Sequence, residues 1–324
     1  MAGIGDAHLV DPAPLLEVRD LTVEYRVPGG RVQAVSELSF DIGPGETLGL
    51  VGESGCGKST AGRALLRLED VASGTVTFDG DALTATPRGR LRALRRKLQM
   101  VFQDPVSSLN PRRPVGEIVV EGLRVAGRSG EECARTAERV LREVGLDPGR
   151  FAGLRPRQLS GGQAQRVAIA RALAVEPALV VCDEPVSALD VSVQATIINL
   201  IAELKERHGL TLVFISHDLS VVRLVSDRVL VMYLGRICEV GEVEAVFGAP
   251  RHPYTRALLD SVPRGSADGG FAGPALAGDV PSPLAPPSGC RFRTRCPVAV
   301  DLCAEQVPES RQVGDGHFVA CHRA

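Results

Sequence analysis

Gly52-Glu53-Ser54-Gly55-Cys56-Gly57-Lys58-Ser59 follows the pattern G-x-x-x-x-G-K-[ST], a spacing suited to holding phosphate. Its glycines let the backbone curl until successive N–H groups face an anion. A helix starting at the end of the loop adds the positive end of its dipole. Lys58 is placed to reach the outer phosphates and Ser59 to offer a hydroxyl to Mg²⁺. Asp183 and Glu184 end an apolar run, so two carboxylates are expected at the sheet edge where the phosphate loop also opens. One can hold the water shell of Mg²⁺; the other can take a proton from an attacking water. Leu159-Ser160-Gly161-Gly162-Gln163 reads as a helix start, with Ser160 as N-cap and two glycines exposing backbone N–H groups. Two anion-binding helix starts in one chain invite a site shared between two chains. An ordinary capped helix accounts for the same residues.

These motifs need elements to carry them. Residues 47–51 read as a strand and residues 60–66 as a helix, so the loop sits in a strand–loop–helix context. Residues 98–102, 178–182, 210–215 and 228–233 read as buried strands. Val193, Ile197, Leu200, Ile201 and Leu204 share one face of a helix. Apolar strands alternating with helices predict a parallel sheet covered on both faces. Ahead of them, residues 16–18, 21–25 and 32–35 are short β-like segments around a Pro28-Gly29-Gly30 turn, and residues 74–80 form another. From residue 104 to about 159 the apolar spacing turns helical, divided by Pro105, Pro111, Pro114, Pro148 and Pro156, with no strand. Residues 1–14 read as flexible, and residues 263–289, rich in Gly, Pro, Ala and Ser, as a linker or extended arm.

Composition sets bounds on the chemistry. The chain has 324 residues, 44% hydrophobic, which is ample for one large domain and a smaller one. With 37 basic against 39 acidic residues the formal charge is −2, which argues against a basic nucleic-acid-binding surface. No run of apolar residues is long enough to span a membrane, and the first residues lack a signal-peptide layout, so a cytosolic chain is expected.

With the motifs in order, residues 15–250 resemble the ATP-binding subunits of ABC transporters. Gly52–Ser59 matches Walker A, Gln103 the Q-loop, residues 159–163 the signature and residues 178–184 Walker B. Ser187-Ala188-Leu189-Asp190 matches the D-loop and His217 the H-loop. The resemblance implies a P-loop, RecA-like α/β core with an antiparallel β subdomain and a helical subdomain over about 104–164. It also implies a head-to-tail pair of ATPases, each ATP held by one Walker A and the partner's signature. The implied roles are carried by residue. Gly52 to Gly57 (with Glu53, Ser54, Gly55 and Cys56), Lys58, Ser59 and Thr60 hold the phosphates. Ser59, Gln103 and Asp183 serve Mg²⁺, Glu184 polarises water, and His217 contacts the γ-phosphate. Ser160, Gly161, Gly162 and Gln163 close over the partner's ATP. Tyr25 would be the aromatic that stacks on adenine; a tyrosine on a strand face is the alternative.

Within that family, residues 101–105, 107–111, 157–163 and 252–259 resemble bacterial dipeptide and oligopeptide importers, the group that includes nickel importers. The loop itself resembles the second of the two ATPase types in such systems. This implies a paralogous ATPase partner, two membrane permease subunits, an extracytoplasmic solute-binding protein, and a peripheral place on the cytoplasmic face of the membrane. Import of nickel or another small solute, and a soluble non-transport ABC ATPase, are the alternatives. Residues 251–324 form a C-terminal extension in which Cys290, Cys296, Cys303 and Cys321 crowd together in sequence. Such a segment is too small to fold on burial alone, and four thiolates can ligate a metal. The resemblance favours a [4Fe–4S] cluster on these four. Zinc and free or disulfide-bonded thiols are the alternatives.

Overall fold

The computed structural model describes residues 5–9, 13–261 and 278–324. Parts of the expected flexible start and most of the expected linker at 263–289 lie outside the described residues. The chain forms two compact units, one of Met1–Thr86 with Ile215–Ala324 and the other of Pro87–Phe214.

The first unit holds two sheets. In the antiparallel one, Gly30–Ile42, Leu16–Val27, Ser73–Phe78 and Asp81–Ala82 lie in that order. The segments expected at 16–18 and 21–25 are one long strand, because the break between them is a bulge. The register slips between Val18 and Leu21, and Asp20 takes a φ of 50°. Gly74 packs there so closely that a Cβ would stand 2.4 Å from the Asp20 carbonyl oxygen. The second sheet runs Ser310–Gly314, His317–Ala320, Arg236–Glu242, Arg228–Tyr233 and Thr47–Val51. Thr47–Val51 is buried throughout and pairs parallel with Arg228–Tyr233, from Leu48 beside Arg228 to Val51 beside Val231. Burial on both faces explains its unbroken apolar character.

The last two of these chain segments correct an expectation. The C-terminal extension, expected to be too small to fold on burial alone, adds to a larger sheet: His317–Ala320 pairs with Arg236–Glu242, with Glu239 opposite Val319. Phe292, 1% exposed, packs 5.2 Å from the ring of Tyr233, 5.3 Å from Tyr254 and 5.7 Å from His252. Strand addition and an aromatic core tie the extension to the rest of the first unit.

His252 caps the helix Pro253–Asp260, its Nδ1 accepting from the Tyr254 N–H at 3.1 Å. Burial pushes its pKa from 6.5 down to about 4, against the raising influence of Glu239. The imidazole therefore stays neutral in the fold while the unfolded chain binds a proton below 6.5. Stability is complete above that pH and falls as pH drops toward 4, by about 3 kcal/mol. Urea unfolding at about pH 7.5 and about pH 4.5 should show this loss. His252→Asn, which keeps a capping acceptor and cannot titrate, should remove most of it. An unchanged slope in that variant would assign the acid sensitivity elsewhere.

The second unit carries three strands in the order Thr211–Ile215, Leu179–Asp183 and Leu98–Val101. The last two are parallel, with Leu98 beside Leu179 and Val101 beside Cys182. Between residues 104 and 159 it is helical and has no strand: Pro105–Ser108, Val115–Val119, Glu121–Val125, Gly130–Glu143 and Pro148–Phe151. Prolines open two of these helices at positions where a missing N–H costs nothing. Among the described residues no helix is long and apolar enough to cross a membrane.

Candidate functional site

In the first unit, strand Thr47–Val51 leads through the glycine loop into the helix Lys58–Leu65. The loop's glycines are required by space as well as by conformation. Gly57 has φ 104°, and a Cβ there would stand 2.0 Å from the Ala34 carbonyl oxygen. At Gly52, φ 154°, the clash would be 2.2 Å with Met232 O. Lys58 is buried and its Nζ donates to Gly52 O at 2.7 Å and Glu53 O at 3.0 Å, so the ammonium folds back over the loop. Beside it, burial raises the pKa of the Cys56 thiol, with the Lys58 charge opposing. Ser59 and Thr60 occupy the first turn of the helix, and the Tyr25 hydroxyl bonds the Thr60 side chain. Tyr25 is half-buried on its strand, next to the loop.

Glu53 is turned into the fold rather than outward. Its N–H donates to the Tyr254 hydroxyl at 2.7 Å, and its carboxylate accepts from Arg295 Nη1 at 2.7 Å and Nη2 at 3.0 Å. Neither Tyr254 nor Arg295 stood out in the sequence as a residue of the loop. They lie 201 and 242 positions away, and only the His252-Pro253-Tyr254-Thr255 segment gave any signal. His217 is exposed between the strand ending at Ile215 and the helix Leu219–Val225. Asp218 caps that helix through the N–H groups of Ser220 and Val221.

In the second unit, strand Leu179–Asp183 is fully buried and delivers Asp183, 0% exposed, followed by Glu184. Glu184 adopts φ 46°, an uncommon conformation for a residue with a side chain, of the sort that clusters at working sites. Gln103 Nε2 donates to Glu184 Oε2 at 2.9 Å, which orients the carboxylate and leaves the Gln103 carbonyl oxygen as an acceptor. The expected signature also takes shape here. Ser160 caps the helix Gly161–Leu173, its Oγ accepting from Gln163 N at 3.3 Å while Gln163 Oε1 accepts from Ser160 N at 2.9 Å. This capping box leaves Gly161 and Gly162 at the mouth of an open hollow of about 410 Å³, lined also by Arg166, Leu189 and Val193. A Cβ at Gly162 would clash with Val193 at 2.7 Å, and one at Gly161 would press on the Leu189 side chain at 3.3 Å.

The cysteines of the extension do not make the site expected of them. Cys290, Cys296, Cys303 and Cys321 share one neighbourhood, with the Cys290 N–H donating to Cys303 O at 2.8 Å, and all are free thiols. Among the described residues, however, no group of three or more His, Cys, Asp or Glu is arranged to hold a metal ion. Burial pushes the Cys290 thiol up to about 11 and raises that of Cys296. The expectation of a [4Fe–4S] cluster is thereby overturned, and zinc gains no support in its place.

A glycine loop closed by a buried lysine, a buried strand ending in Asp-Glu and a capped Ser-Gly-Gly helix start define a P-loop nucleotide-binding protein. The family pattern described as ABC transporter matches residues 35–187, and that described as oligopeptide/dipeptide transporter, C-terminal region, matches residues 238–303. A Brucella ovis protein named for peptide import and ATP binding is 49% identical over 96% of this chain and 98% of its own length. The oligopeptide transport ATP-binding protein AppF of Bacillus subtilis is 48% identical over 95% of this chain and 97% of its own length. Among solved structures, the dimeric ATP-binding cassette MJ0796 bound to ADP and Pi superposes with a TM-score of 0.65. It is 32% identical over 70% of this chain and 98% of that one. The chain belongs to the ABC transporter ATP-binding family and is an ATPase subunit of that family.

Proposed function

We propose that this chain hydrolyses ATP to drive the uptake of di- and oligopeptides through an ABC importer. The observation that carries the reading is the joint match of the nucleotide-binding region and the oligopeptide-transporter C-terminal region, with near-half identity to peptide-import relatives along almost the whole chain. A subunit of this kind works with membrane permeases. The finer assignments are a paralogous ATPase as the dimer partner, two permease subunits, an extracytoplasmic solute-binding protein, and a peripheral position on the cytoplasmic face.

Chemically, the first unit's loop amides and Lys58 bind the phosphates, and Tyr25, anchored through Thr60, offers its ring to adenine. Ser59 in the first unit offers a hydroxyl, and Asp183 and Gln103 in the second offer a carboxylate and an amide carbonyl, oxygen donors of the kind Mg²⁺ takes. When bound, that ion neutralises charge on the phosphate oxygens. Glu184 accepts the proton of the attacking water, its carboxylate steered by Gln103, and His217 donates to the γ-phosphate. Ser160 and Gly162 offer an N–H-rich helix start to the nucleotide of the partner.

Deleting the gene should abolish energised uptake of radiolabelled di- and oligopeptides by cells while leaving nickel uptake at its parental level. Complementation by the parent chain, and not by Lys58→Ala, should restore it. Loss of nickel uptake with peptide uptake intact would replace the cargo assignment and leave the ATPase reading standing.

A further inference from the structure

The loop's second residue is held by side chains from the far end of the chain. Glu53 is bonded on two sides, its N–H to the Tyr254 hydroxyl and its carboxylate to both terminal nitrogens of Arg295. These partners are rigid. Tyr254 is fully buried, its ring 4.8 Å from Tyr233, and the Arg295 side chain is 5% exposed, its guanidinium 5.8 Å from the centre of the Tyr233 ring. Both belong to parts of the extension that Phe292 packs together. On the loop side, Glu53 O accepts from Lys58 Nζ, the group that must reach the phosphates. A bidentate Arg–carboxylate pair fixes direction as well as distance. Glu53 is tied to the extension through both its N–H and its carboxylate while its carbonyl receives Lys58, so the backbone that carries the lysine's resting partner is fixed at this residue. No other acidic residue of the loop competes for Arg295, since Glu53 is the only one between Gly52 and Ser59.

We propose that Arg295 and Tyr254 are positioning residues of the phosphate-binding loop, through which the C-terminal extension sets the loop's affinity for nucleotide. This rests on the reading of that loop as the nucleotide site. Neither residue touches the reacting atoms. Each holds Glu53 in the orientation that presents the remaining loop amides and releases Lys58 toward phosphate. By reciprocity, nucleotide binding tightens the extension by the same factor.

The test uses the full-length chain and a fluorescent N-methylanthraniloyl-ATP probe with Mg²⁺. Arg295→Ala should weaken binding roughly tenfold, the scale of a lost charge-assisted hydrogen bond. Arg295→Lys, which keeps the charge and loses the fork, should fall between it and the parent. Tyr254→Phe should weaken binding about threefold. Arg293→Ala, on the same segment but bonded to Ser288 O at 3.0 Å, should leave affinity unchanged. On the reciprocal side, amide hydrogen exchange in residues 290–296 should slow on nucleotide binding in the parent, and much less in Tyr254→Phe. If Arg295→Ala does not fold, Arg295→Lys and Tyr254→Phe carry the test alone. Affinities within about twofold of the parent in those variants, while Lys58→Ala abolishes binding, would overturn the proposal. Probe binding that survives Lys58→Ala would instead overturn the reading of the loop.

Discussion

Glu184→Gln should lower steady-state ATP turnover by roughly 10²- to 10⁴-fold, the scale of general base catalysis, while nucleotide affinity stays within about twofold of the parent. The geometry explains why the two effects separate. Glu184 is held at φ 46° by the end of a buried strand, and its Oε2 accepts a hydrogen bond from Gln103 Nε2 at 2.9 Å. The amide of the variant can turn its carbonyl oxygen to accept the same bond, so backbone and side-chain placement survive. What disappears is the negative charge and the capacity to take a proton from water. Phosphate release under saturating ATP and probe binding, measured on the same preparation, decide the matter. A turnover loss of less than about tenfold would remove Glu184 from the role of base. A parallel collapse of affinity would mean that the carboxylate's charge organises the site before any chemistry occurs.

That prediction was legible before any coordinates, because everything it uses is local in sequence. The strand at 179–183 announces itself by an unbroken apolar run, and the two carboxylates follow at its end. The glycine loop and the Ser160 cap are equally short-range, and their hydrogen bonds span six residues or fewer. The long-range half of the loop's support is invisible in the same way that its near half is plain. Nothing in the residues around Arg295 marks a partner 242 positions away, and arginine is so frequent in this chain that another one carries no signal. The cysteines mislead for the converse reason. Four thiols close in sequence resemble a ligand set, but ligation depends on where the sulfurs point and on whether they ionise. In the fold, no three such groups among the described residues are arranged to hold a metal ion, and the two strands 310–314 and 317–320 tie the segment to the sheet. Short alternating strands near a chain end, added to an edge that is itself made by residues 236–242, have no local signature beyond a few β-branched and aromatic residues.

The largest stability effect expected in the molecule lies at one of those additions. Glu239 is fully buried in the strand Arg236–Glu242 and accepts from three donors: the N–H of Arg251 at 2.7 Å, the N–H of His252 at 3.0 Å and His317 Nε2 at 2.7 Å. These bonds, the one from His317 foremost, hold its pKa below the usual glutamate value although burial pushes the other way. Glu239→Leu is close in volume and apolar, so the core loses little packing, but three donors are left without an acceptor in a place water does not reach. The expected cost is roughly 3–5 kcal/mol, the scale measured when one partner of a buried charged network is removed. Glu239→Gln keeps one carbonyl oxygen for the two donors that share Oε1, Arg251 N–H and His317 Nε2, and turns its NH₂ toward the His252 N–H; it should cost less, about 1–2 kcal/mol. The chain has three tyrosines and no tryptophan, and Tyr25, Tyr233 and Tyr254 all fall in the first unit, so tyrosine fluorescence during urea unfolding reports on that unit alone. If the two variants unfold at the same urea concentration, the three-donor network is not what holds the strand. The ordering matters beyond stability. The His252 N–H that Glu239 holds belongs to the residue capping the helix of Tyr254, and Tyr254 in turn holds the N–H of Glu53. A chain of single hydrogen bonds therefore runs from a buried carboxylate in the strand Arg236–Glu242 to the phosphate loop. Glu239→Gln should then weaken nucleotide binding by more than its small stability cost explains, and Arg293→Ala, which sits on no link of that chain, should not.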